Sequence, residues 1–163
     1  MRQPYRFNKD EIFHDWIFNN PEATDKKKVE QFNKWLKSHS EEECELYHGT
    51  SANLPILKEG LKRTSAKTKK SYQSQTGFVY LSIYPSSAEM FGSIAYPQKE
   101  ISVYAITVKI KELLPDKDQL RNKRYWGETE NLGNTLAESI IAGSGARIKR
   151  DIFIREIKLL KTV

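Results

Sequence analysis

The sequence predicts an α+β fold in which an N-terminal helical hairpin precedes a mostly antiparallel set of strands interrupted by short helices. Apolar residues recur at helical spacing before residue 39, and from Glu45 the period changes to short runs rich in β-branched and aromatic residues broken by short helices. Residues 101–110 alternate well enough to make the clearest strand. At 163 residues the chain suffices for one domain with a proper core and falls short of two of ordinary size. The acidic run Glu41, Glu42, Glu43 reads as a solvated linker, dividing an appendage of residues 1–43 from a main domain of residues 44–163.

Within residues 9–19, Ile12, Phe13, Trp16 and Ile17 share one helical face, and Asn19-Asn20-Pro21 ends the helix. A second helix is predicted from Thr24 as N-cap to Ser38, with Val29, Phe32, Trp35 and Leu36 on one side and lysines on the other. Residues 45–48 then read as a short strand that opens at Gly49 into a turn and a compact helix over residues 51–60. Residues 62–70 carry five positive charges and no acid, a loop. A core strand is expected over 77–82, a helix from Pro85 that stops at Gly92, and a turn or short helix at Leu113, Leu114 and Pro115. Residues 117–137 read as a long polar loop, followed by a strand over 139–142, a turn at Gly143-Ser144-Gly145 and a last strand over 152–160.

Composition excludes several classes. There is no apolar run of bilayer-spanning length and no signal-peptide segment, so the expected setting is cytoplasmic with no membrane partner. One cysteine, Cys44, allows no internal disulfide, and three scattered histidines form no zinc set. His14 and His39 read as ordinary surface or packing residues. Four extended residues separate Cys44 from His48 by about 13 Å, too far for a thiolate–imidazole pair. The net charge of +6 is uneven: residues 1–43 hold 8 of the 27 cationic and 9 of the 21 acidic side chains, leaving 19 against 12, a net +7, for the rest. That surplus favours anions, among them nucleotides and nucleic acids.

Three motifs stand in order along the main domain: His48 in Tyr-His-Gly-Thr-Ser, Tyr80 in Val-Tyr-Leu-Ser, and Glu138 heading Glu-Ser-Ile-Ile-Ala. Together they resemble the His-Tyr-Glu signature of the diphtheria-toxin and poly(ADP-ribose) polymerase class of ADP-ribosyltransferases, over residues 45–160. The resemblance implies a split antiparallel sheet pair and NAD as substrate. Cleaving nicotinamide from ribose leaves an oxocarbenium-like sugar, so the site must hold a neutral leaving group and stabilise positive charge.

The resemblance assigns His48 and Thr50 to the NAD-ribose clamp, with His48 on a ribose hydroxyl, and the backbone of Gly49 to the nicotinamide amide. It makes Tyr80 the stacking face and Glu138 the anchor of the ribose 2′-hydroxyl. Phe91 fits the place of a second aromatic or else is plain core, and Ser87 could reach the carboxamide. Glu128 and Glu130 form a competing Glu-x-Glu pair, but Asn131-Leu132-Gly133-Asn134 after them reads as a turn, whereas Glu138 is read at the head of a strand. Leu136, two residues before Glu138, argues against arginine as acceptor. No Walker or Rossmann glycine pattern is present.

The expected function is a mono-ADP-ribosyltransferase acting on an intracellular macromolecule in the manner of a bacterial toxin or defence effector, with a neutralising antitoxin as a candidate partner. Basic runs at 62–70, 117–124 and 147–150, with Arg124 and the stacking residues Tyr125 and Trp126, favour nucleic acid slightly over protein as acceptor. Two alternatives stay open. One is an RNA 2′-phosphotransferase-like enzyme, which uses NAD with phosphate-gripping arginines in place of the glutamate, Arg63 being the candidate near the first motif. The other is an inactive module that binds nucleotide or a partner through the hairpin.

Overall fold

The computed structural model describes residues 3–7, 26–64, 75–125 and 133–163. The first predicted helix, the Thr24 cap and the Glu128/Glu130 pair lie outside the described residues, as does most of the basic run at 62–70.

In chain order the elements are α1 (Lys26–Ser38), β1 (Glu43–Ser51), α2 (Ile56–Glu59), β2 (Val79–Ser82), α3 (Pro85–Ala95), β3 (Ile101–Lys109), α4 (Lys117–Tyr125), α5 (Leu136–Gly143), β4 (Gly145–Ile148) and β5 (Ile157–Thr162). Short 3-10 turns at Ile110–Glu112 and Ile154–Glu156 connect them. The class is α+β, as expected. The strands form one antiparallel sheet in the order β4-β2-β1-β3-β5. Pairing of β1 with β3 runs unbroken from Glu43↔Lys109 to Ser51↔Ile101, and β2 pairs with β4 along its whole length. Between β1 and β2 the register holds one pair, Tyr47↔Ser82. The two halves of the sheet therefore meet at a single point.

Several expectations are corrected. The strand predicted to end at His48 continues through Gly49 and Thr50 to Ser51, because every residue of the motif pairs with β3. The helix from Pro85 does not stop at Gly92 but reaches Ala95. There the missing side chain is used for packing: a methyl on Gly92 would sit 2.9 Å from the Gly49 carbonyl carbon, and one on Gly49 would strike the Ala88 carbonyl oxygen. Glycines on both elements let α3 lie directly on β1. The long polar loop at 117–137 contains α4, started by Asp116, whose Oδ1 accepts from the Gln119 N–H at 3.1 Å.

The largest correction concerns residues 139–142, which are helical rather than extended. Thr135 caps α5 by accepting from the Glu138 N–H, and Glu138 at the third position reaches back to the Thr135 N–H, a capping box. Residues Ala137 to Gly143 are all buried, Glu138 and Ser139 among them, so the helix has no solvent-facing side to give it a period. A short apolar run with isoleucines reads equally as a buried strand or a buried helix by periodicity, and the cap decides it.

The core lies between the sheet and the helices α1 and α5. Phe7, Val29, Phe32 and Leu36 join Leu46, Leu81, Ile106, Ile140 and Ile148 in one cluster. The opposite sheet face is covered by α3, with Tyr47, Ala88, Val103 and Ala105 packed together. The second half of the predicted hairpin thus shares the core of the sheet domain. Among the described residues no helix is long and apolar enough to cross a membrane.

Candidate functional site

The site forms where β1 and β2 part. Hydrogen bonding in an antiparallel ladder alternates sides, so backbone groups of alternate residues face the same neighbour. On β1, Glu43 accepts from the Tyr5 N–H, Glu45 donates to the Tyr5 carbonyl, both at 2.9 Å, and Tyr47 pairs with Ser82. By the same alternation the N–H and C=O of Gly49 face β2, where the register assigns them no partner. A continued ladder would set Tyr80 opposite Gly49. Instead the Tyr80 carbonyl accepts a hydrogen bond from the His48 Nδ1–H at 2.7 Å.

This bond defines the histidine. A carbonyl only accepts, so Nδ1 carries the proton and Nε2 is left as an acceptor in the neutral ring. Burial lowers the His48 pKa below its ordinary value, with the Tyr80 carbonyl opposing the shift. The neutral form is therefore favoured. The His48 imidazole keeps an acceptor nitrogen, and the adjacent Gly49 has a backbone donor and acceptor that the strand register leaves without a partner. A primary carboxamide is the complement of the second pair, and a hydroxyl donor of the first.

Tyr80 is held from a different direction. Its hydroxyl donates to Asp118 Oδ2 at 2.5 Å and accepts from the Gln75 N–H at 2.8 Å. Arg147, on β4 at the register position facing Tyr80, brings Nη1 to 3.5 Å from both that hydroxyl and Asp118 Oδ2. The guanidinium lies 4.0 Å over the Phe78 ring, and its Nε has no hydrogen-bond partner among the described residues. Arg147 is only 4% exposed, so this cation is built into the interior beside an acid that offsets it. Burial, then the Asp118 bond, push the Tyr80 phenol up to about 12.

Compared with family models, curated proteins and solved structures, the chain matches none.

The remaining predicted residues are dispersed. Glu138, 7% exposed, stands in the first turn of α5. Its carboxylate accepts from the Gly133 N–H, from the Thr135 hydroxyl at 2.7 Å and from the Thr135 N–H at 3.3 Å. It touches neither His48 nor Tyr80 through any hydrogen bond among the described residues. Thr50 is buried on β1. Ser87 lies half-buried in the first turn of α3, and Phe91 on the same helix is 40% exposed, which removes the plain-core reading for it. Arg63 is tied elsewhere, its backbone N–H and side chain both on Asp151, at 2.8 and 3.5 Å. Arg124 and Tyr125 close α4, and Trp126 lies outside the described residues. Cys44 is fully buried and its thiol pKa is raised by burial, which makes it inert as a nucleophile.

Sequence reasoning missed Gln75, Asp118 and Arg147, the residues that hold Tyr80. The signal for Asp118 was present in Asp116-Lys-Asp-Gln119, an N-cap followed three residues later by glutamine. For Arg147 nothing local marks a buried cation.

Proposed function

We propose that the chain is a NAD-dependent mono-ADP-ribosyltransferase that releases nicotinamide and passes ADP-ribose to an intracellular macromolecule, nucleic acid before protein, in the manner of a toxin. One observation carries the reading: at the parting of β1 and β2, His48 and Gly49 offer the hydrogen-bond complement of a ribose hydroxyl and a primary carboxamide. These are the two groups that flank the bond to be broken in NAD. In this reading the Gly49 backbone holds the nicotinamide amide, and His48 Nε2 accepts from the sugar. Tyr80 provides an aromatic wall, and neutral nicotinamide departs as positive charge grows on the ribose. The Glu138 carboxylate is the group proposed to stabilise that charge, and its engagement in the α5 cap is the point most exposed to test.

A second reading is favoured by Arg147. A buried arginine stands opposite Tyr80 on the neighbouring strand, and a phosphate-gripping arginine in place of a glutamate is what an RNA 2′-phosphotransferase-like use of NAD requires.

Nicotinamide release from NAD, assayed with wild type, His48→Ala and Glu138→Gln in the presence of total RNA, DNA or protein, separates these. The transferase reading expects release by wild type, label from NAD on one acceptor class, and losses of about tenfold for His48→Ala and about a hundredfold for Glu138→Gln. Turnover only with 2′-phosphorylated RNA, unaffected by Glu138→Gln, selects the phosphotransferase. NAD binding by calorimetry without release selects an inactive binding module, and no binding at all overturns the site.

A further inference from the structure

We propose that Asp118, backed by Arg147, is the positioning residue that sets the ring of Tyr80 as the wall against which the nicotinamide of NAD stacks; the inference rests on the reading of the site given above. A tyrosine on a short strand can rotate about its side-chain bonds unless its far end is held. Here that end is held by groups from three separate segments. The hydroxyl donates to Asp118 Oδ2 at 2.5 Å, accepts from the Gln75 N–H at 2.8 Å and lies 3.5 Å from Arg147 Nη1.

The clamp is itself secured. Asp118, in the first turn of α4, has its other oxygen 3.3 Å from Arg121 Nη2, while Arg147 Nη1 reaches the Gln75 side-chain oxygen at 3.2 Å. Asp118 and Arg147 are 7% and 5% exposed at their side chains, so water competes little for the bonds, which are charge-assisted and correspondingly strong. With the hydroxyl committed, Tyr80 has only its ring to offer a ligand. Its own carbonyl holds His48, so the residue whose ring is clamped also orients the imidazole. Fixing both from one strand is the preorganisation that a stacked, hydrogen-bonded ligand needs.

The test compares Tyr80→Phe, Asp118→Asn and the double variant for NAD turnover. Tyr80→Phe keeps the ring and loses the anchor, so KM for NAD should rise about fivefold while kcat falls by less. Asp118→Asn keeps an acceptor oxygen but takes the charge from that same bond, so KM should move in the same direction by less on the wild-type background and almost not at all in the Tyr80→Phe background, where the bond is absent. Effects of Asp118→Asn that add fully to those of Tyr80→Phe, or that follow loss of thermal stability instead of KM, overturn the proposal. Aromatic NMR with labelled tyrosine supplies a readout independent of NAD. The Tyr80 hydroxyl proton should be protected from exchange with water and give its own resonance in wild type, and exchange too fast to be seen in Asp118→Ala, which removes the acceptor. Loss of that resonance already in wild type defeats the clamp itself. A protected hydroxyl in a protein that neither binds nor cleaves NAD defeats the reading of the site instead, and the proposal with it.

Discussion

A histidine that donates from Nδ1 to a buried carbonyl is worth most to the fold while neutral, because protonation puts a charge into a site that burial makes hostile to it. The sign follows directly. The folded pKa of His48 lies below its ordinary value, so the unfolded chain binds the proton more readily, and stability is complete above about pH 6.5 and falls as the pH drops below it. Thermal melts of wild type between neutral and mildly acid pH should show this loss, and His48→Gln, whose amide can still donate to the Tyr80 carbonyl, should lack that component. Parallel curves for the two proteins would remove the histidine from the pH response. At this scale the sequence was most informative where chemistry is local: Tyr-His-Gly marked both the imidazole and the glycine. It placed Arg147 in a basic run at 147–150 open to nucleic acid, whereas the residue is buried, because an arginine in Gly-Ala-Arg-Ile reads as a surface residue until a strand partner and Asp118 are placed beside it.

Elements were legible in proportion to their length and periodicity. Residues 101–110 alternate over a full strand and fold as β3, and α1 follows its apolar stripe of Val29, Phe32 and Leu36. Short buried elements were not, because burial on all sides erases the period that distinguishes a helix from a strand. Ser139, Ile140, Ile141 and Ala142 are the case in point. Their helical state rests on Thr135 and Glu138, whose reciprocal bonds satisfy backbone N–H groups that the first turn of a helix leaves open. Thr135→Ala should therefore cost about 1 kcal/mol, a fall of roughly 2–4 °C in Tm for a chain of this size. Differential scanning calorimetry reads that change directly. An unchanged Tm would mean that α5 is set by packing alone, and Glu138 would then be free to serve the proposed site without a structural duty.

The sequence divided the molecule at the acidic run before β1, since charge and period both change there. Packing does not respect that division among the described residues. Phe32 on α1 is 0% exposed and stacks edge-on against Phe7 at 6.3 Å between centroids. Asn33 on the same helix accepts from the Ala137 N–H at the start of α5 at 3.0 Å. The apolar stripe of α1 was visible in the sequence, but which surface it covers depends on α5, and residues 139–142 were read as a strand. If α1 is part of the cooperative core, Phe32→Ala removes a fully buried aromatic from it and should cost roughly 3–5 kcal/mol. That corresponds to a fall of about 10 °C or more in a single thermal transition. An appendage that folds separately would answer differently: calorimetry would show a small early transition shifted by the substitution and a main transition left in place. The same variant connects the fold to the site, because α5 carries Glu138 and begins at the Ala137 N–H that Asn33 of α1 accepts from. In the cooperative case nicotinamide release by Phe32→Ala, assayed well below its own Tm, should stay close to wild type and then collapse together with the melt, and an early loss of activity without melting would assign α1 a direct part in holding α5 in place.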